Sequence, residues 1–357
     1  MWWMRKSPGW ASEPADSPCP ELAEGTPMLY GQDERTAAIY APVQAELERV
    51  EAKLKGLASE ATTATEDLRP LLDYVAETGG KRIRPALTLL ASHSYPHDSD
   101  KLVLMASAVE LLHLATLIHD DTVDDSSTRR GRATVSNVWG HHVSVLFGDY
   151  VFATSATFVC DTESLRIMRR FSETIMELAS GELIEYFGAY DPNQARHLYD
   201  DRIYRKTASL FCTAGESGAV LAGAPEEEVQ AMKRYAYNIG MAFQIGDDLL
   251  DFEGEESNMG KPVGSDLRNG VLTLPTILLM ERYPEDNPVA AFFRDKDNPD
   301  KLQRVLDMIN DSSIMQDSRD VVRNYCNRAC AELEILPQGE ARDSLAALAE
   351  YVPDRQR

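Results

Sequence analysis

LIHDDTVDDSSTRRG, residues 117–131, closes a long apolar run, KLVLMASAVELLHLATLI, residues 101–118. Apolar residues in that run recur at three and four, which predicts a helix. Asp120 and Asp124 are four apart and share one face near its C-terminal end. Asp121 and Asp125 make a second such pair. The C-terminal end of a helix carries partial negative charge, so carboxylates there are destabilising. Crowded carboxylates also repel, which raises the pKa of some of them. The run supplies no lysine to offset this, only Arg129 and Arg130 after it. A bound divalent cation is the economical answer.

The arrangement recurs in AFQIGDDLLDFEG, residues 242–254. Asp247, Asp248 and Asp251 end a second apolar helical run just before Gly254. One such run alone reads equally well as a solvated helix end. Two D-D-x-x-D runs, each closing an apolar helix, break a local rule twice in the same way, and such violations mark functional sites.

The bulk composition narrows the partners. The chain has 357 residues and a formal net charge of −22, which argues against nucleic acid, whose phosphates need a basic face. A phosphorylated small substrate requires metals or placed arginines that reverse the local sign. The five cysteines, Cys19, Cys160, Cys212, Cys326 and Cys330, are scattered. Cys326 and Cys330 share a helix face with no histidine near, which favours packing over zinc. So sparse and odd a count suggests a reducing compartment, and a cytoplasmic protein is expected. Glu110, His113 and Asp149 interrupt the longest apolar runs, so no transmembrane span is expected. Residues 1–33 are rich in Pro, Ser, Glu and Ala and lack the apolar core of a signal peptide. They are expected to be a disordered extension, with Met28 a candidate start.

From residue 34 onward the pattern is helical. Leu47, Val50 and Leu54 form one stripe with charges opposite. LRPLLDYVAETG predicts a second helix, ended by Gly79 and Gly80. Strand signals are almost absent, and no inter-domain linker appears. The expected fold class is all-α: residues 34–357 as a single large helical bundle with two facing aspartate-rich helix ends. GGKRIRP, residues 79–85, gathers Lys81, Arg82 and Arg84 at a helix start, where free N–H groups favour an anion. Arg129 and Arg130 offer forked guanidiniums that suit phosphate oxygens and equally suit the neighbouring aspartates. Lys206 and Thr207 fall in a mostly small and apolar helix within residues 201–223. ESNMGKPVGSDLRNGVLTLP, residues 256–275, carries Lys261, Asp266 and Arg268 and has the length of a lid or binding loop.

Taken together, these pieces resemble the trans-prenyltransferases, the polyprenyl (isoprenyl) diphosphate synthases. GGKRIRP, HLATLIHDDTVD, RRG, GEL, KTASL, AFQIGDDLLDF, GKPVGSDLRNG and TLP stand in that family's order, from about residue 35 to the C-terminus. The resemblance implies the isoprenoid synthase helical fold and a reaction. An allylic diphosphate loses its diphosphate, isopentenyl diphosphate attacks the resulting allylic cation, and a proton is lost. It also implies magnesium, held by Asp120, Asp124 and Asp247 with Asp121, Asp248 and Asp251 in support. Lys81, Arg84, His113 and Arg130 would bind isopentenyl diphosphate; Arg129, Lys206 and Lys261 the allylic diphosphate; Thr207 and Gln244 would flank the developing cation. Two positions depart from the family pattern: Glu185 where glutamine is usual, and Val271 where lysine is common.

The resemblance further implies a homodimer and an all-trans polyprenyl product, for which we expect more than four units, as in quinone side chains. Such a lipophilic product would give a transient membrane association. Going back from Asp120, Thr116, Ala115, Leu112, Leu111 and Ala108 would line the product tunnel, with Phe147 a candidate floor. Geranylgeranyl or farnesyl diphosphate is the alternative product. A terpene cyclase would carry a different second metal motif, and a non-catalytic synthase subunit would have lost its aspartates.

Overall fold

The structure is a computed structural model that describes residues 34–60, 68–76, 79–129, 131–253 and 263–354. The extension expected to be disordered, residues 1–33, lies outside them, as do Arg130 and Lys261.

Helix α1 (Glu34–Tyr40) passes through a 3-10 turn into α2 (Gln44–Glu60). The expected stripe is the buried one: Leu47, Val50 and Leu54 are all under a few per cent exposed. Then follow α3 (Arg69–Ala76), α4 (Ile83–His93) and α5 (Ser99–Val123). Asp98 starts α5 by accepting from the backbone N–H of Asp100 at 3.0 Å and Lys101 at 3.4 Å. Asp125, at φ 49°, turns the chain into the left-handed region just beyond its end. The amides of Asp124 and Ser126 then satisfy the carbonyls of Asp120 and Asp121.

Helix α5 is apolar nearly all round because neighbours surround it: α2, α4, α7 (His141–Asp161) and α10 (Ser209–Leu221) pack against it. By length and apolarity alone, both α5 and α7 could cross a membrane, despite Glu110, His113 and Asp149. The apolar window of α5 is 72% buried inside the bundle, so it is a core helix. That of α7 is only 33% buried, which leaves an apolar face open.

Short connections complete the scaffold. A hairpin pairs Thr128 with Ala133 and Arg129 with Arg132, the only strands among the described residues. The helices α6 (Val135–Trp139), α7, α8 (Leu165–Gly188) and α9 (Arg196–Ile203) follow. A π-helical turn, Tyr204–Ala208, joins α9 to α10, and α11 spans Glu226–Glu253. The later helices, chiefly Ile314–Glu332, pack against α11.

Glycines let the central helices touch backbone to backbone. A Cβ at Gly218 of α10 would lie 2.1 Å from the Thr88 carbonyl of α4. One at Gly240 of α11 would lie 2.6 Å from Ala208 Cα, at the end of the π turn. These contacts fix α10 between α4 and α11, the positions from which the site is built.

Candidate active site

The C-terminal end of α5 holds its aspartates in two environments. Asp121 is buried and accepts from Arg129 Nε at 2.7 Å. Asp124, the helix cap, is exposed, and Asp120 lies between these extremes. Burial first, then the carboxylates of Glu182 and Asp124, push the Asp120 carboxyl up to about 7; Lys206 and Arg129 oppose the shift. Glu182, in the GEL motif of α8, is raised by burial as well, against the pull of Lys206. Sequence reasoning gave Glu182 no role. Its visible signal was the spacing with Glu185, three residues on along one helix face.

Lys206 and Thr207 sit in the π turn rather than in a regular helix. Such turns are rare and concentrate at functional sites. Two helices grip this one. A Cβ at Gly181 of α8 would meet the Lys206 amide nitrogen at 2.8 Å, and Gly240 of α11 presses from the other side. The Lys206 ammonium lies 2.7 Å from Glu185 Oε1 and 3.0 Å from Glu182. Burial alone would lower its pKa; Glu185, Glu182 and Asp120 outweigh it and keep the amine charged. Thr207 faces the other way and donates to Gln244 Oε1 at 2.5 Å. The π turn thus connects the end of α5 with the end of α11.

On α11, Gln244 donates to Asp248 Oδ1 at 2.8 Å, and Tyr199 of α9 donates to Oδ2 at 2.6 Å. Asp248 is fully enclosed; burial, then Asp266, push its carboxyl to about 7 against Tyr199, Gln244 and Arg202. Asp251 accepts from the amides of Ser265 at 3.2 Å and Asp266 at 3.1 Å, which ties the loop beyond residue 262 to α11. That loop was expected to be irregular, yet its second half holds the short helix Ser265–Arg268 and the buried Leu267 and Leu272. Asp247 remains half-buried on the same last turns of α11.

The basic loop is divided by direction. Lys81 is exposed, with its ammonium 3.2 Å from Tyr351 Oη. Arg84 is half-buried and stacks over the Phe211 ring at 4.6 Å. Arg82 instead points into the core. His113 is half-buried on α5, one turn from Glu110. Asp120, Asp124, Glu182, Lys206 and Arg129 therefore form one electrostatic group, and Thr207, Gln244, Asp248 and Tyr199 a second.

The donors suit a hard cation. They are all carboxylate oxygens, and after burial the carboxylates of Glu182 and Asp124 help to raise the pKa of Asp120. Among the described residues no three His, Cys, Asp or Glu side chains are placed to hold an ion alone. Magnesium is a hard cation that usually takes one or two carboxylates and completes its shell with phosphate oxygens and water.

Residues 65–309 match the polyprenyl synthetase family model. The chain belongs to that family. It is 34% identical over 282 residues to heptaprenyl diphosphate synthase component 2 of Bacillus subtilis, covering 79% of this chain and 81% of that one. It is 34% identical over 333 residues to nonaprenyl diphosphate synthase of Mycobacterium tuberculosis, covering 92% and 98%. A polyprenyl synthase from Caulobacter crescentus, solved with calcium and isoprenyl diphosphate, superposes with a TM-score of 0.81 at 31% identity, covering 90% and 98%.

Asp120 gives the family's acidic end a measurable signature. Its carboxyl rises on folding from an ordinary 3.8 to about 7. Between those values the folded protein binds more protons than the unfolded chain, so this group lowers stability as pH rises. The full cost is present above pH 7. Asp120→Asn should therefore stabilise the metal-free protein at pH 8, by up to roughly 4 kcal/mol, and give no gain at pH 4. Denaturant unfolding in EDTA at both pH values measures this; equal effects at both would contradict it.

Proposed function

We propose that this chain condenses isopentenyl diphosphate with an allylic diphosphate and releases a long all-trans polyprenyl diphosphate. The observation that carries the reading is the π turn, which presents Lys206 to one carboxylate-rich helix end and Thr207 to the other. Lys206, Arg129 and Lys261 hold the allylic diphosphate. Lys81, Arg84, His113 and Arg130 hold isopentenyl diphosphate. The allylic C–O bond breaks, and its electron pair leaves with the diphosphate. The π pair of isopentenyl diphosphate forms the new C–C bond, and loss of a proton restores an allylic diphosphate. Thr207 and Gln244, bonded to each other, set polar oxygens beside the developing cation.

Asp120, Asp124 and Asp247 would hold magnesium, with Asp121, Asp248 and Asp251 fixed behind them by the protein. A bound divalent cation supplies concentrated positive charge for the departing diphosphate. That the Caulobacter relative was solved with both calcium and isoprenyl diphosphate supports the choice of a hard cation. EDTA should abolish prenyl transfer and magnesium restore it, and Asp247→Ala should lower turnover by roughly 10²-fold or more. Activity that persists in EDTA, or near-native turnover in Asp247→Ala, would reject the assignment.

The product reading rests on α5 and on the relatives, which are named for seven and nine prenyl units. Ala108, Leu111, Leu112 and Ala115 are all at most 1% exposed. One helical turn rises about 5.4 Å, close to one isoprene unit. All of them pack in the core; Ala115 is small, so on this reading a growing chain would part the helices past it, and Phe147, 1% exposed on α7, is the candidate floor. Wild-type product should exceed four units, and Ala115→Phe should shorten it. Chromatography of the dephosphorylated alcohols reads both; unchanged length in Ala115→Phe would remove this wall from the tunnel.

Val145, Leu146 and Tyr150 of α7, with Met176, Leu183, Tyr186 and Phe187 of α8, are large, apolar and exposed. A patch of this kind marks a protein contact, and a homodimer through α7 and α8 would cover it. The word "component" in the Bacillus relative's name supports a second reading, a heteromer. Light scattering should give twice the chain mass, and Leu146→Glu should split it. A fully active monomer would overturn the homodimer, and an inactive monomer would favour the heteromer. We further propose cytoplasmic residence with transient membrane contact through the product.

A further inference from the structure

Between Lys81 and Arg84, the basic loop spends its remaining cation on the protein interior. Arg82 is 5% exposed. Its Nε donates to Glu51 Oε1 at 2.5 Å and its Nη1 to Glu110 Oε1 at 2.6 Å. Glu51 belongs to α2 and Glu110, 4% exposed, to α5. Arg82 therefore ties three segments far apart in sequence through one guanidinium fork. Its backbone is left-handed, φ 50° and ψ 33°, a conformation unfavourable for a residue other than glycine. Such a conformation persists only where its surroundings over-determine it.

The surroundings do so from several directions. Buried Tyr40 donates to the Lys81 carbonyl at 2.8 Å, fixing the peptide on one side. The Arg82 carbonyl accepts from Ala86 at 3.0 Å and so begins α4. The left-handed turn lies between the two residues proposed to bind isopentenyl diphosphate, Lys81 before it, near Tyr351, and Arg84 after it, over the Phe211 ring. Glu110 stands three residues before His113 and ten before Asp120 on the same continuous helix. The ion pair thus sets the basic loop in register with the helix that carries the acidic end.

Stability alone is a poor explanation. Well-packed apolar residues often replace a buried ion pair at no loss of stability. What they lack is direction.

We propose that Arg82 is a positioning residue for the non-allylic diphosphate. Its buried guanidinium, held by Glu51 and Glu110, maintains the turn that presents Lys81 and Arg84. This rests on the reading of Lys81, Arg84 and His113 as the isopentenyl diphosphate site.

Removing Arg82 alone would leave two buried carboxylates uncompensated and endanger folding. The test therefore uses Arg82→Met combined with Glu51→Gln and Glu110→Gln, and Arg82→Lys as the conservative variant. Isopentenyl diphosphate alone cannot react, so its binding is read directly by calorimetry with magnesium present. The triple variant should bind it about tenfold more weakly or worse. Its KM for isopentenyl diphosphate should rise in step, while kcat and the allylic KM stay near wild type. Arg82→Lys should fall between. Unchanged binding in a triple variant with native circular dichroism would overturn the proposal, and so would equal losses for both substrates. Wild-type protein that binds no isopentenyl diphosphate, yet retains prenyl transfer, would instead overturn the reading of Lys81 and Arg84 beneath it.

Discussion

Two long helices end on carboxylates, where the helix dipole is already negative, and the ammonium of Lys206 is set beside the first of them, in the field of Asp120. Most of the central packing follows from putting that ammonium there. Lys206 can reach Glu182, Glu185 and the field of Asp120 only because α9 does not run smoothly into α10. The π turn shifts the register, and Gly181 and Gly240 let α8 and α11 close on it from both sides. A methyl group at either glycine would press on the backbone that aims the lysine. The opposite face of the same turn aims Thr207 at Gln244, so a single local irregularity serves both acidic ends.

Much of this was legible in the sequence, for physical reasons. The apolar runs before Asp120 and Asp247 are long and strongly periodic, so their helices and ends could be placed closely. The stripe of Leu47, Val50 and Leu54 was equally plain. A π turn leaves no such trace, because one extra residue in a hydrogen-bonded ring does not change the apolar pattern of YRKTASL. Glu182 was likewise overlooked, since a glutamate on a helix face is normally solvated and only its tertiary neighbours reveal the crowding. The hairpin at residues 128–133 escaped because two-residue strands have no period to detect. The loop from residue 256 was read as irregular throughout. Its Asp251 contacts, which order the segment after residue 262, join positions 14 and 15 apart and cannot be seen locally.

GGKRIRP shows the same limit in a sharper form. As sequence it is three cations in four residues, and they read as one anion site. In the fold a single left-handed residue sends the middle cation inward to Glu51 and Glu110. Composition counted the charges correctly but could not give their directions. Those depend on carboxylates 31 positions before and 28 positions after the arginine they hold.

The two departures from the family pattern, Glu185 and Val271, are also linked in space. Arg202 is 3% exposed; its Nε lies 3.6 Å from Glu185 Oε2, and its Nη2 donates to the carbonyl of Leu272, next to Val271, at 2.5 Å. A carboxylate in place of glutamine adds one negative charge, and a valine in place of lysine removes one positive charge. Both changes lower the local positive potential by a unit, and Arg202 touches the neighbourhood of each. Without Arg202, the extra charge at Glu185 would fall wholly on Lys206. With it, the carboxylate is shared, one oxygen to each cation. On the proposed function, a diphosphate at Lys206 would have to compete with Glu182 and Glu185, which would leave more of its charge for other cations to balance.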